Sequence, residues 1–191
     1  MVNSLTYRIG VSFMKRIISM LVICAVLFWC GRIYSINQIS PIIYYYDIGD
    51  VLECGDLELY FAESYLDDPN EFNNRFGIDY VPLEDEYKML SICIEVTNVS
   101  DDNIKWNDIF GFLEYGFESS VWASSVDPMV GPSINKFSSE YLSAGESQKI
   151  WFSTEIQKAC FKDSSWDNVD DYQYLYVLTL VPHKIAVRLE I

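Results

Sequence analysis

The chain has 191 residues, 13 of them basic and 28 acidic, and a formal net charge of −15. Four basic residues (Arg8, Lys15, Arg16 and Arg32) precede the first acid, so nine basic residues face all 28 acids in the remainder, which carries −19. Because a phosphate contact needs lysine or arginine, this charge argues against a nucleic-acid partner. Apolar residues make up 50% and aromatic residues 16% of the chain, which excludes an acidic disordered chain.

An apolar segment follows the first basic residues. The stretch MKRIISMLVICAVLFWCGR contains 15 uncharged residues, Ile17 to Gly31, directly after Lys15 and Arg16. As a helix this run measures about 22 Å, short of the roughly 30 Å hydrocarbon core unless flanking residues extend it. We expect a signal-anchor transmembrane helix over residues 17–34. The positive-inside rule then places residues 1–16 in the cytoplasm and the acidic domain outside the cell membrane.

Two other fates of this segment are less favoured. Cleavage by signal peptidase needs an Ala-x-Ala-like site, and none closes the run. Lipid attachment at Cys30 needs a small residue before the cysteine, whereas Trp29 occupies that place. Met14 resembles a conventional start of an export signal, so residues 1–13 are a candidate misassigned start.

A linker is expected at residues 35–46. Its apolar end, 42–46, is either already a strand or lies against the membrane interface, since tyrosine is common in both settings. Residues 47–66 then predict two strands joined by a turn at Gly55-Asp56. Residues 67–86 are rich in Asp, Asn, Pro and Gly and show neither the alternation of a strand nor the periodicity of a helix. They are therefore predicted to be a surface loop.

The strongest strand pattern lies in YKMLSICIEVTN, which is followed by the polar turn Val99 to Asn103. Alternate apolar positions place one row of side chains on a single face, which is typical of a central core strand. These side chains are Leu90, Ile92, Ile94 and Val96.

The second half of the chain predicts further strands. Residues 109–126 favour one or two strands followed by a loop, with Phe110, Phe112 and Trp122 as core candidates. A turn at Ala144-Gly145-Glu146 leads into a strand, and residues 155–162 favour a short helical turn. The inward side chains of that strand are Ile150 and Phe152.

The C-terminal segment YQYLYVLTLVPHKIAVRLEI divides into two strands at Pro182-His183. One face of the first strand holds Tyr174, Tyr176, Leu178 and Leu180. Together these patterns give seven to nine short strands without intervening helices for parallel crossovers. The fold class is therefore predicted to be all-β, an immunoglobulin-like antiparallel β-sandwich over residues 47–191.

Several turn motifs resemble those of a family of immunoglobulin-like extracytoplasmic domains of unknown function, found on membrane-anchored proteins and lipoproteins of Gram-positive bacteria. The motifs are Gly49-Asp50, Asn98-Val99-Ser100, Ala144-Gly145-Glu146 and Phe152. The resemblance covers about residues 47–191, with Ala144 where the family usually has proline and with a long excursion at 67–86. It implies a location and a fold, but no activity.

Acidic residues are the first candidates for a cation site. The segment DSSWDNVDD offers carboxylates to calcium but lacks the spacing of a known calcium loop, so a solvated acidic surface is the favoured interpretation. The weak metal candidates are Asp163, Asp167, Asp170 and Asp171.

Catalytic chemistry has little support in the sequence. Cys54, Cys93 and Cys160 form no Cys-x-x-Cys pair, and free thiols are favoured over one disulfide with a spare thiol. A cysteine nucleophile would need a base, and His183, the chain's one histidine, falls in a predicted turn. Asn98-Val99-Ser100 matches a glycosylation sequon but is better explained as a turn that closes a strand. No catalytic residue or cofactor is predicted.

These observations favour a membrane-tethered extracytoplasmic interaction module, non-catalytic, whose partner is another envelope protein. One alternative is an accessory subunit of a membrane complex that acts through its transmembrane segment. Another is a weak calcium-binding domain that uses the acidic loops.

Overall fold

The computed structural model describes residues 4–37, 42–81, 86–113, 115–180 and 183–191. The chain divides into two compact units, the first ending at Pro41 and the second running from Ile42 to Ile191. Residues 38–41 of the predicted linker and Pro182 of the predicted C-terminal turn lie outside the described residues.

The described part of the first unit is one helix, α1 (Ser4–Asn37), which is longer in both directions than the predicted 17–34 segment. Its side chains from Ile18 to Tyr34 are exposed, and most of them are apolar. In the part of the chain that the structure describes, no helix is both long enough and apolar enough to cross a membrane. The helix is therefore confirmed, whereas its transmembrane assignment is not supported.

The described part of the second unit contains eleven strands and four helices. The strands are β1 (Ile43–Asp47), β2 (Val51–Cys54), β3 (Leu57–Asp67), β4 (Tyr87–Asn98), β5 (Ile104–Lys105), β6 (Gly116–Glu118), β7 (Ala123–Ser124), β8 (Tyr141–Leu142), β9 (Ser147–Gln157), β10 (Leu175–Thr179) and β11 (Lys184–Arg188). The helices are α2 (Pro69–Phe76), α3 (Trp106–Leu113), α4 (Gly131–Ile134) and α5 (Asp163–Trp166), and single 3₁₀ turns lie at Lys158–Cys160 and Val169–Asp171.

Two sheets pack face to face and form a β-sandwich. The first sheet has the order β1-β11-β10-β6-β7, the second has the order β2-β3-β4-β9, and β5 pairs with β8. The described pairs are antiparallel except β1 with β11. Phe61 and Phe152 of the second sheet share one core with Tyr176 and Val187 of the first. The rings of Phe152 and Tyr176 stack with centroids 5.6 Å apart, which joins the two sheets directly.

The strands with the clearest alternation are confirmed. The hairpin of β2 and β3 turns at Gly55, whose φ of 60° lies in the left-handed region that favours glycine. Strand β4 lies between β3 and β9, so it is the central strand that its sequence predicted. Ile150 and Phe152 are buried on β9 as expected. The order β2-β3-β4-β9 places three consecutive strands side by side, whereas the immunoglobulin ABED sheet places no more than two consecutive strands side by side.

The prediction of a surface loop at 67–86 is wrong for its first part. Strand β3 extends to Asp67, and α2 follows with a proline in its first turn and Gly77 at its C-terminal end in the left-handed conformation. Phe72 of this helix is fully buried against Tyr87 and Met89 of β4. Strand β4 is consequently covered on both faces, by the first sheet on one side and by α2 on the other.

The prediction of strands at 109–126 is also wrong in its first half. Residues from Trp106 to Leu113 form α3, because Trp106, Ile109 and Leu113 follow the helical spacing and are all buried. Phe110 and Phe112 are half-buried against the core, and the short strands β6 and β7 come after the helix.

The C-terminal hairpin of β10 and β11 is confirmed. Tyr174, Tyr176 and Leu178 are buried, whereas Leu180 lies beyond β10 and is exposed. The predicted helical turn at 155–162 is present in part, as the 3₁₀ turn that follows β9.

Replacing Phe72 with alanine tests whether α2 is part of the folded core. The loss of a fully buried phenylalanine is expected to lower the free energy of unfolding by about 3–5 kcal/mol. Urea unfolding followed by tryptophan fluorescence measures this difference. Val81→Ala, at a side chain that is 77% exposed, is the control, and equal stabilities of the two variants would contradict the packing of α2.

Candidate functional site

Two of the sequence motifs meet at Asn98, the last residue of β4. The Asn98 N–H donates to the Glu146 carbonyl at 3.0 Å, and the Gly145 N–H donates to the Asn98 carbonyl at 2.9 Å. The buried Asn98 amide donates to the carbonyls of Asp102 at 2.7 Å and Leu142 at 3.0 Å. The interpretation of Asn98-Val99-Ser100 as a strand-closing turn is therefore confirmed. These motifs hold the ends of strands.

The predicted metal candidates lie on the surface. Asp163 begins α5, Asp167 follows it, and Asp170 and Asp171 belong to the second 3₁₀ turn. Their side chains are exposed, and Lys88 Nζ lies 2.6 Å from an oxygen of Asp170. Among the described residues, no three His, Cys, Asp or Glu side chains are grouped so that they could hold a metal ion.

The cysteines are free thiols in very different surroundings. Cys93 is buried on β4, and burial raises the pKa of its thiol to about 12. Cys54 is half-buried, and burial raises its pKa as well. Cys160 is exposed, as is Cys30 in α1. The half-buried His183 ring meets the Tyr44 ring edge-on, with centroids 5.7 Å apart.

A charged and aromatic stack fixes the outer face of the second sheet. Arg75 of α2 makes two parallel hydrogen bonds of 2.8 Å to the buried carboxylate of Asp67. Its guanidinium carbon lies 3.4 Å from the ring centroid of Tyr65, which stacks on Trp151 at 5.9 Å. Phe76 meets Trp151 edge-on at 5.0 Å. These contacts hold the Trp151 ring against the sheet.

The free edge of β9 is closed by side chains and backbone of the segment 124–137. Asn135 is buried and acts as a substitute strand, since its Oδ1 accepts the Trp151 N–H and its Nδ2 donates to the Trp151 carbonyl, both at 2.8 Å. The Asp127 N–H donates to the Ser153 carbonyl at 2.8 Å. Backbone groups that would be open at a sheet edge are thereby satisfied.

A pocket of about 450 Å³ lies between this segment and β9. Its lining is largely apolar and includes Phe110 of α3, Phe137 of the closing segment, and Trp151 and Phe152 of β9. Phe110 meets Phe137 edge-on at 5.4 Å and Phe152 at 6.0 Å. The volume falls in the range of small-ligand sites, roughly 300–1,000 Å³. We call this cavity the β9 pocket.

Asp127 brings a carboxylate to the wall of the β9 pocket. Its Oδ1 accepts the Met129 N–H at 2.8 Å, and its Oδ2 accepts the hydroxyl of Tyr80 at 3.1 Å. The same hydroxyl lies 3.4 Å from Glu155 Oε2. Burial, and then the charges of Asp127 and Glu155, raise the pKa of Tyr80, so this phenol stays protonated and remains a donor. The carboxylate is therefore held in a fixed position.

Most of the pocket residues had no signal in the sequence. Asp127, Asn135 and Phe137 fall in a segment that was predicted to be a loop, and Phe110 was expected on a strand. Trp106 is 5% exposed and packs against Phe137, with ring centroids 4.7 Å apart. The pocket is built from three distant parts of the chain, so no local pattern marks it.

By architecture the second unit belongs to the β-sandwich class. The chain is similar to an uncharacterized β-sandwich protein from Clostridium difficile 630, with a TM-score of 0.50 and 10% identity over 79% of this chain and 98% of that one. This similarity concerns the fold alone. No family model matches the sequence, and no curated protein matches it.

Two further solved structures give lower TM-scores. A conserved hypothetical protein from Bacillus anthracis gives a TM-score of 0.44 at 13% identity, covering 68% of this chain and 87% of that one. The yjhA protein from Bacillus subtilis gives a TM-score of 0.43 at 14% identity, covering 76% of this chain and 99% of that one.

Alkylation of the native chain by iodoacetamide near neutral pH is expected to label Cys160 and to leave Cys93 unmodified, because the buried Cys93 thiol stays protonated. Peptide mass spectrometry resolves the two sites, and unfolding in urea should make both reactive. Between pH 9.0 and about 12 this thiol ionises in the unfolded chain but not in the folded one, so it lowers stability as the pH rises. Equal labelling of both thiols in the native chain would contradict the burial of Cys93.

Proposed function

We propose that the chain is a non-catalytic interaction module of the bacterial cell envelope, attached to the cell membrane through α1, with its sandwich on the extracytoplasmic side. The single observation that carries the binding role is the β9 pocket. Its walls come from a helix, the edge strand β9 and a segment tied to that strand by hydrogen bonds. An apolar pocket with a fixed polar group, presented by a rigid scaffold, suits recognition.

The apolar surface of α1 supports attachment to a membrane. Ile18, Leu21, Val22, Leu27 and Phe28 are each more than half exposed. A helix that is apolar around its circumference needs an apolar cover. Lipid supplies that cover in the proposal, and the basic residues that precede the apolar run favour the orientation given above.

The same surface supports a second candidate, an accessory subunit whose α1 packs against helices of a membrane complex. In the first proposal the sandwich recognises the partner, and α1 serves as an anchor. In the second proposal α1 itself recognises the partner. Replacing residues 17–31 with an unrelated apolar segment separates the two.

An immunoglobulin-like relationship is proposed at the level of the sandwich architecture, supported by the turn motifs at Asn98 and Gly145. Domains of this kind share the architecture without always sharing the strand order. The relationship is consistent with a location outside the membrane.

The double change L21D/L27D is expected to move the chain out of the membrane fraction, since each aspartate in the centre of an apolar helix costs about 2.5–3.5 kcal/mol in lipid. Fractionation with a carbonate wash and immunoblotting measures the shift. The control V81D/V99D adds the same charge at two exposed positions of the second unit and should stay with the membrane. A wild-type chain in the soluble fraction would contradict the anchor.

A photo-crosslinking residue at Met129 is expected to capture one envelope protein in intact cells, because Met129 is 77% exposed and follows pocket residue Pro128. The same residue at Val99, which is 57% exposed on the turn after β4, is the control. Mass spectrometry identifies the product. Capture that survives replacement of residues 17–31 supports the surface module, and capture that requires the native segment supports the accessory subunit. Equal products from both positions would contradict recognition at the pocket.

A further inference from the structure

We infer that the β9 pocket binds a positively charged organic group, an ammonium carried on an apolar stem. This inference rests on the proposed binding function and adds the chemistry of the group that enters the pocket. It follows from the aromatic walls, the charge of the lining and the size of the cavity.

The walls suit a cation. Phe110, Phe137 and Phe152 line the pocket in mutually tilted orientations, with interplanar angles of 82° and 75° for the two pairs that contain Phe110. An aromatic ring attracts a cation to its negative face. The same rings cover the alkyl part of an ammonium group, which gains from leaving water.

The charge of the lining has one sign. Of the described residues that line the pocket, Asp127 alone is ionisable. Its two hydrogen-bond donors, the Met129 N–H and the Tyr80 hydroxyl, are neutral groups, so neither is a counter-ion to the carboxylate. The chain after Ser35 carries −19, so its field attracts cations and repels anions over a longer range. An anionic ligand would face aromatic walls and a carboxylate.

The size of the pocket and its donor set favour an organic cation over a metal ion. Calcium takes six to eight oxygen ligands, whereas the Asn135 amide is engaged with the backbone of Trp151 and Gly131. A cavity of about 450 Å³ with few polar groups holds an ion together with its organic substituents.

Two sources supply this chemistry, a free small amine and the lysine side chain of a protein partner. Both present an ammonium group on an apolar stem. The experiment therefore has one arm for each source, and each arm pairs a cation with a neutral molecule of the same shape.

The first arm compares choline with its neutral carbon isostere, using saturation-transfer NMR on the full chain in a nonionic detergent. The second arm compares Nα-acetyl-lysine methylamide, whose side-chain ammonium is free, with the corresponding norleucine derivative, which has no charge. The cation of at least one pair is expected to bind about tenfold more tightly than its neutral partner. A desolvated cation–π contact is strong enough to give a difference of this size. Preference in the first arm alone indicates a free amine, and preference in the second arm indicates a partner's lysine.

Asp127→Asn should remove most of the preference, since asparagine keeps an oxygen for the Met129 N–H but loses the charge. Asp101→Asn makes the same charge change on an exposed turn and should keep the preference. Equal binding of cation and isostere in both arms, no binding in either arm, or an undiminished preference in Asp127→Asn would overturn the inference. Crosslinking from Met129 is read separately, so a captured partner together with failed cation arms leaves the binding module standing.

Discussion

Strand β4 is buried on both of its faces, and much of the second unit follows from the need to cover them. An antiparallel sheet can leave one face in water, but here Ile92 and Ile94 point to the first sheet while Met89 lies under another apolar layer. That layer comes from α2 through Phe72 and from the start of α4 through Val130. Residue Val130 lies in the segment that closes the edge of β9. The segment 124–137 therefore contributes both to the outer cover and to the β9 pocket.

The strands of the core could be predicted because burial on one face imposes a period of two on the sequence. Leu57, Leu59 and Phe61 of β3 alternate with more exposed residues and are buried, and the same argument holds for Ile150 and Phe152 of β9. Helix α2 was not predicted because it has only eight residues, several of them Asn or Pro, which are too few to show a helical periodicity of apolar residues. Helix α3 escaped for another reason, since Phe110 and Phe112 imitate strand alternation although Ile109 and Leu113 carry the buried helical face.

Two buried asparagines show why turns can be predicted more easily than sites. Asn98 belongs to a short motif whose residues are adjacent in the sequence, so its role as a strand end could be inferred before its long-range partners were known. The Asn135 amide likewise forms hydrogen bonds with the backbone of Trp151, but the two residues are 16 positions apart and no motif links them. The pocket depends on such non-local contacts, which bring Phe110, Phe137 and Phe152 together only after the sheets have packed.

The closure of β9 also bears on how copies of this chain behave toward each other. An edge strand of eleven residues with open N–H and C=O groups would be a template on which a second molecule could add its own strand. Asn135 and Asp127 form hydrogen bonds with the backbone of Trp151 and Ser153 on this edge. The segment that lines the pocket therefore also hinders the addition of a strand from another molecule. The same segment thus lines the pocket and covers the sheet edge, and sequence drift that loosens it exposes the chain to aggregation as well as changing the shape of the pocket.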